Sequence, residues 1–350
     1  MKLAVFSTKP YDKLYLTTEH AAELDKAAGI ELIYHDFSLS LDTAELSRGA
    51  DAVCIFVNDV ADAPVIEQLV SHGVKAILLR CAGFNNVDLD AAEKYGLVVA
   101  NVPSYSPEAV AEFALALVQT LNRHTHQAYN RVREGNFNLS GLLGKTLHGK
   151  TVGVVGTGRI GVAFARIMNG FGCTVIGFDP FPSEDFQKHG EYTDLDSLLQ
   201  QSDIISLHCP LMPKTKHIIN DDTLSKMKDG VILVNTSRGG LIKTRSVIAA
   251  LKSKKLGGLA LDVYEGEGEL FYNDHSGTII DDDELMRLTT FHNVIICGHQ
   301  AFFTEEALQE IGTTTLKNLA DFALQRPCKN SLIKTKEDLI KRKQSIPIRI

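Results

Sequence analysis

The sequence predicts an α/β protein of two doubly wound units, each a mostly parallel sheet with helices on its faces. Three observations predict it. Short apolar runs alternate with helical patterns along most of the chain. A glycine-rich turn, Gly156 to Gly161, follows a strand and opens a helix, but only after a complete α/β unit has passed. The 350 residues exceed one typical domain and suit two.

In the first unit the strand candidates are Leu3–Ser7, Glu31–His35, Ala52–Val57, Ala76–Arg80 and Leu97–Ala100. A long helix then starts at Ser106-Pro107-Glu108: serine at the N-cap, proline at the first helical position, an acid in the first turn. Val110, Phe113, Leu117 and Leu121 form one stripe, and Gly135 ends a helix expected to run to Arg133. At 1.5 Å per residue it spans roughly 40 Å, enough to bridge two domains.

Six strand candidates build the second unit: Thr151–Val155, Thr174–Phe178, Asp203–Leu207, Val231–Val234, Gly258–Leu261 and Asn293–Cys297. Helical patterns separate the first five, as in a dinucleotide-binding doubly wound sheet. Beyond Thr304 an amphipathic helix runs to Leu324, and the chain closes on a lysine-rich stretch, Lys334–Ile350, read as a solvated terminus.

Composition narrows the function. A net charge of −7 argues against a nucleic-acid footprint. The six cysteines form no C-x-x-C pair, and most lie in apolar runs, so they read as buried thiols in a reducing compartment. The opening Met1–Phe6 reads as a strand and not as a signal peptide, and no apolar run has the length of a membrane span. A soluble, cytoplasmic protein is the expectation.

Gly156-Thr157-Gly158-Arg159-Ile160-Gly161 is G-x-G-x-x-G with a strand before it and a helix after. Gly156 allows the tight turn, Gly158 lets a pyrophosphate approach the backbone, and Gly161 lets helix and strand pack closely. The helix N-terminus offers N–H groups to phosphate. Asp179 ends the next strand, 21 residues after Gly158. A carboxylate there accepts from ribose hydroxyls and repels a 2′-phosphate, which favours NAD over NADP. An ordinary glycine turn with a strand-end aspartate is the bland alternative, and S-adenosylmethionine enzymes show a similar pair.

The other strand ends carry His208-Cys209-Pro210, Asn235 to Gly240, Asp262 with Val263 to Glu267, and Gly298-His299-Gln300. In such sheets a ligand binds outside the carboxyl ends of the strands. Hydride reduction of a 2-keto acid needs a cation for the carboxylate and a proton donor for the developing alkoxide. Arg238 suits the first task, since guanidinium pairs bidentately with carboxylate. His299 suits the second, and Glu267 is its natural partner. Asp262 suits the nicotinamide carboxamide. Each has a bland reading: a surface arginine, a satisfied half-buried histidine, a solvated acid among Glu265, Glu269 and Asp281–Glu284. His20, His72, His124, His126, His189, His217 and His292 are read as structural or solvated. No metal is expected.

The stretches Arg80–Asp88, Asn101–Glu112, Gly153–Gly161, Ser206–Leu211, Val234–Gly239, Leu261–Glu265 and Gly298–Phe302 together resemble the D-isomer-specific 2-hydroxyacid dehydrogenases. Within them the chain closely resembles the fermentative bacterial D-lactate dehydrogenases. The resemblance implies Arg238 as substrate binder, His299 as acid and Glu267 as its partner. It implies backbone contacts from Ala82 and Gly83 to the substrate, with Tyr105 and Phe302 lining the site. It implies NAD contacts from Arg159, Ile160, His208, Pro210, Thr236 and Asp262. It also implies a Rossmann NAD domain, 103–302, inserted in a flavodoxin-like substrate domain, 1–102 and 303–350, with a cleft site, a homodimer or homotetramer, and reversible reduction of pyruvate to D-lactate with NADH. Phe303 stands where many members carry tyrosine, and the basic terminus has no counterpart. A larger keto acid is the runner-up substrate. A 3-phosphoglycerate dehydrogenase fits less well, because the 46 residues after Thr304 are too few for an added regulatory domain. A non-catalytic NAD-sensing corepressor is the alternative from another class.

Overall fold

In the computed structural model, which describes residues 1–17, 19–20, 29–268 and 270–333, the chain contacts separate two units. One holds Met1–Ser106 and the described residues from Phe303 on; the other is Pro107–Phe302. The family resemblance implies residues 103–106 in the second unit. The contacts group them with the first, and the division falls where Pro107 opens its helix. The lysine-rich stretch from Lys334 lies outside the described residues.

The first unit is a five-stranded parallel sheet of β1 (Lys2–Val5), β2 (Glu31–Tyr34), β3 (Ala52–Ile55), β4 (Ala76–Leu79) and β5 (Val98–Ala100), in the order β2-β1-β3-β4-β5. That is the flavodoxin-like order. β3 and β4 are buried along their whole length, as continuous apolar runs covered on both faces must be. The helix Glu305–Ala323, capped by the Thr304 hydroxyl on the Ala307 N–H, packs Leu316 and Leu319 onto this core. The chain then returns along β5, where the Leu332 N–H donates to the Val99 carbonyl at 2.8 Å.

The second unit is a seven-stranded parallel sheet: β6 (Thr151–Val155), β7 (Thr174–Phe178), β8 (Glu191–Tyr192), β9 (Ile204–Leu207), β10 (Val231–Asn235), β11 (Leu256–Leu261) and β12 (Val294–Ile296). The order β12-β11-β10-β9-β6-β7-β8 reverses between β6 and β9, the topological switch point of a Rossmann sheet. Six strands were expected here. The seventh, β8, is a two-residue edge strand too short to leave a periodic signal. One core packs Val118, Leu121, Phe164 and Met168 against one side of the sheet, and a second packs Leu198, Leu233 and Leu251.

The expected long helix is two helices, Pro107–Arg123 and Thr125–Arg133, because His124 takes the left-handed conformation with φ +52°. No glycine or proline marks the break, so composition hides it. Among the described residues no helix is long and apolar enough to cross a membrane.

Candidate active site

β10, β11 and β12 are neighbours, and Asn235, Leu261 and Ile296 stand opposite one another in register. Arg238, Asp262 and His299 therefore leave adjacent strands just past one common row. Buried Asn235 shapes the first turn: its Nδ2 donates to the Arg238 carbonyl at 2.9 Å, and its Oδ1 accepts from the Ser237 N–H at 3.0 Å. A Cβ added to Gly239 would come within 2.0 Å of the Tyr264 carbonyl carbon. The turn thus lies directly on the segment leading to Glu267. The Arg238 guanidinium donates to the Ser237 carbonyl at 2.7 Å, and among the described residues it pairs with no carboxylate. A cation so placed is available to an anionic substrate.

His299 is held from several sides. Its N–H donates to the Asp262 carbonyl at 2.8 Å, continuing the sheet pairing one step past β12. Its Nδ1 lies 3.2 Å from Glu267 Oε1, with the side chains 15% and 23% exposed. A carboxylate only accepts, so Nδ1 carries a proton and Nε2 is left for chemistry. Glu267 is itself oriented, because its Oε2 accepts the Tyr264 N–H at 3.1 Å. The His299 backbone is left-handed, φ +57°, a strain of about 1–3 kcal/mol that the surroundings must offset.

Much of that support is Asp262. Its side chain is buried, and its two oxygens accept the Gln300 and Ala301 N–H groups at 2.8 and 2.9 Å. Burial pushes its carboxyl above the usual range, against the pull of those two hydrogen bonds. Its place at the end of β11 suits Asp262 to the nicotinamide carboxamide. The structure also gives it the task of fastening the His299 loop.

The nucleotide end fits NAD by its steric demands. Gly156 has φ +94°, and a Cβ there would meet the Cys209 nitrogen at 2.4 Å; one on Gly161 would meet the Gly156 oxygen at 2.1 Å. A Cβ on Gly158 meets nothing within 4 Å, so this glycine keeps open space beside the backbone. It begins the helix Arg159–Gly170, whose first turn no side chain caps, leaving N–H groups for phosphate. Asp179 accepts the Thr157 and Phe181 N–H groups, each at 2.8 Å, which ties the glycine loop to the end of β7. The Thr236 hydroxyl and His208 Nδ1 are buried polar atoms without a partner, as groups that meet a cofactor are. Pro210, two residues after His208, is exposed.

His208 differs from His299. Its Nε2 lies 2.9 Å from the Ser206 hydroxyl and its ring 5.1 Å from that of Phe164. Burial of the imidazole pushes its pKa down to about 3, although the residue as a whole keeps some exposed surface. It is therefore neutral and no proton donor at physiological pH.

Ala82, Gly83 and Tyr105 belong to the other unit. Asn101 Nδ2 donates to the Ala82 carbonyl at 2.8 Å and the Cys81 thiol to the Gly83 carbonyl at 3.2 Å. Among the described residues the N–H groups of Ala82 and Gly83 donate to no acceptor, which suits a carboxylate. Just before them Arg80, 1% exposed, pairs with buried Asp12 at 3.0 Å and donates to the Ser7 carbonyl at 2.8 Å. Phe302 ends its unit nearly buried, and Phe303, half exposed, lies edge-on to Tyr11 at 4.9 Å.

Sequence reasoning misses several contributors. Tyr272 donates to the His299 carbonyl, and His217, read as bland, pairs with Glu265, which also accepts from the Thr244 hydroxyl at 3.0 Å. Tyr272, His217 and Glu265 lie in loops where spacing has no period to follow. Among the described residues no cluster of His, Cys, Asp and Glu is placed to hold a metal.

Comparison with known proteins adds three findings. The family model described as "D-isomer specific 2-hydroxyacid dehydrogenase, NAD binding domain" matches residues 115–301. The chain is 65% identical to 2-hydroxyacid dehydrogenase A of Aspergillus oryzae, covering 95% of this chain and 96% of that one. It is also 65% identical to D-lactate dehydrogenase kk1H of Curvularia clavata, covering 95% of both chains. Among solved structures, the apo form of D-lactate dehydrogenase from Escherichia coli superposes with a TM-score of 0.85 at 50% identity, over 95% of this chain and all 100% of that one.

Proposed function

The chain belongs to the D-isomer-specific 2-hydroxyacid dehydrogenases, NAD-dependent oxidoreductases, and within that family we propose that it reduces pyruvate to D-lactate. The observation that carries this reading is the Glu267–His299 pair standing two strands from an arginine without a carboxylate partner, at one edge of the dinucleotide-type sheet. High identity to a protein named a D-lactate dehydrogenase supports the choice of substrate.

NADH, when bound, supplies the hydride. Arg238 takes the substrate carboxylate in a two-point contact and polarises the keto group. His299 Nε2 gives its proton to the oxygen as the alkoxide forms, while Glu267 holds Nδ1 and stabilises the imidazolium. In the reverse direction Nε2 takes the proton back. His208 stays neutral, so it does not compete for the role of proton donor. In the first unit the N–H groups of Ala82 and Gly83 are suited to an anionic group, with Tyr105 as a further substrate residue; in the second unit that further residue is Phe302. Gly158, Arg159, Ile160, Asp179, His208, Pro210, Thr236 and Asp262 contact the cofactor. The exposed apolar side chains of Phe137, Leu139 and Leu143 support a homo-oligomer. The burial of the Cys54, Cys173 and Cys209 thiols supports a reducing, cytoplasmic setting.

The test follows NADH oxidation with pyruvate, 2-ketoisocaproate and phenylpyruvate, with a stereospecific assay of the product and His299→Ala in parallel. The highest kcat/KM on pyruvate, D-lactate as product and a nearly inactive variant are expected. A bulkier acid as the best substrate overturns the lactate assignment. NADH binding without turnover of any keto acid overturns catalysis itself and favours an NAD-sensing role.

A further inference from the structure

The peptide unit between His299 and Gln300 is gripped on two edges. Its N–H donates to Asp262 Oδ1 at 2.8 Å. Its carbonyl, that of His299, accepts from the Tyr272 hydroxyl at 3.1 Å. The Tyr272 ring also lies along the imidazole, centroids 5.7 Å apart and planes 36° off parallel. We propose that Tyr272 is a positioning residue for the reaction, keeping His299 Nε2 in one direction by holding the left-handed backbone of His299 and flanking its ring. The inference rests on His299 being the proton donor.

A non-glycine residue at φ +57° relaxes toward negative φ unless its peptide planes are pinned. On the N-terminal side His299 is pinned through its own N–H to the Asp262 carbonyl at 2.8 Å. On the C-terminal side the plane turns about an axis running between its two gripped edges. The unit is planar, so both edges turn together; Asp262 restrains that rotation from the N–H edge, and the Tyr272 hydroxyl adds a second restraint from the carbonyl edge. The imidazole has the same arrangement. Glu267 fixes Nδ1, but one hydrogen bond at 3.2 Å leaves the ring free to rock about it, and the Tyr272 ring stands in the way.

One stretch of chain supplies both restraints. The Leu270 and Phe271 N–H groups donate back to the Glu267 carbonyl at 2.9 and 3.1 Å, closing a turn. Phe271 drives into the core below the sheet and anchors it. Tyr272, the next residue, takes φ +68°; partly buried against the same core, it reaches His299 with its hydroxyl and ring. Two left-handed non-glycine residues, Tyr272 and His299, are thus joined by a hydrogen bond and a ring contact. A structure does not keep two strained residues in contact without support from both sides.

Tyr272→Phe removes the hydroxyl and keeps the ring; Tyr272→Leu removes both. Each is tested in single turnover: enzyme loaded with NADH is mixed with saturating pyruvate, and the rate and amplitude of NADH loss are read. The loss of one hydrogen bond predicts a rate about 3- to 10-fold lower for Tyr272→Phe at full amplitude, with NADH affinity unchanged within about twofold. Tyr272→Leu is slower still, and the phenylalanine variant recovers part of that loss. A wild-type rate in Tyr272→Phe overturns the proposal. So does a fall in amplitude and melting temperature with the rate unchanged, which marks a purely structural role. If Tyr272→Leu does not fold, the phenylalanine variant decides alone. His299→Gln, run alongside, separates the two readings. If it retains activity, His299 is not the acid. If it is inactive while Tyr272→Phe matches wild type, only the positioning role fails.

Discussion

Glu267 meets His299 at one ring nitrogen only, Oε1 to Nδ1 at 3.2 Å, and spends its other oxygen on the Tyr264 N–H at 3.1 Å. The carboxylate is therefore oriented before it orients the imidazole. Glu267→Gln keeps the shape and an acceptor oxygen but removes the charge. A charge-assisted hydrogen bond is worth about 1.5–3 kcal/mol, so kcat/KM for the keto acid should fall about 10- to 100-fold. Steady-state kinetics with NADH held saturating check this. An unchanged kcat/KM would falsify the role given to Glu267.

Asp262→Asn places one amide NH2 where two carboxylate oxygens now accept from Gln300 and Ala301. At least one buried N–H loses its acceptor and meets a donor instead. The expected cost is about 1–3 kcal/mol of stability, read from chemical denaturation. Turnover should fall further than stability alone explains, because the displaced loop carries His299. A variant as stable as wild type but inactive points to direct cofactor contact as the residue's whole task.

Two glycines of one motif should fail differently. Gly161→Ala puts a Cβ against the Gly156 oxygen, at 2.1 Å, and should lower the melting temperature of the cofactor-free protein. Gly158→Ala meets nothing within 4 Å, so the cofactor-free protein should melt as wild type does. Its NADH affinity should drop at least about tenfold, or roughly 1.4 kcal/mol, measured by fluorescence titration. If both variants behave alike, the division of labour is wrong.

His208 links stability to acid. Its folded pKa, held at about 3 by burial, lies below the unfolded value near 6.5. As pH falls below about 6.5 the unfolded chain takes up a proton that the folded chain refuses. Stability is thus full above that pH and drains away down to about pH 3. Between pH 7 and pH 5 the residue should cost the fold about 2 kcal/mol. His208→Gln should start less stable, having lost its contact with Phe164, yet lose less over that interval. Urea midpoints of the two proteins at both pH values decide it, and equal losses sink the idea.

What is legible in the sequence follows from how local each physical demand is. Gly156 and Gly161 answer steric demands between residues a turn or a strand apart, so the motif and its flanks reveal them. The strands β6 and β7 are read to the residue because apolar runs flanked by polar residues mark both ends. Arg238 and His299 stand out as chemistry-bearing residues at the ends of strands. The break at His124 escapes, since a left-handed histidine leaves no compositional trace. Tyr272 escapes because its use depends on the path of an irregular loop anchored by Phe271. The full work of Asp262 escapes too: acceptance of two N–H groups from residues 38 and 39 positions later is settled by strand adjacency, and no spacing encodes it.

The row Asn235–Leu261–Ile296 works as a measuring rule. Neighbouring strands in any sheet stand roughly 4.8 Å apart, and that pitch does not depend on which side chains the loops carry. Candidate groups counted off from one row inherit their spacing from the hydrogen-bonded lattice. Substitutions in the loops can then reshape what the protein accepts without moving the groups that act on it. A slip of β12 by one residue would do the opposite: it would leave every loop sequence intact and turn His299 away from its task.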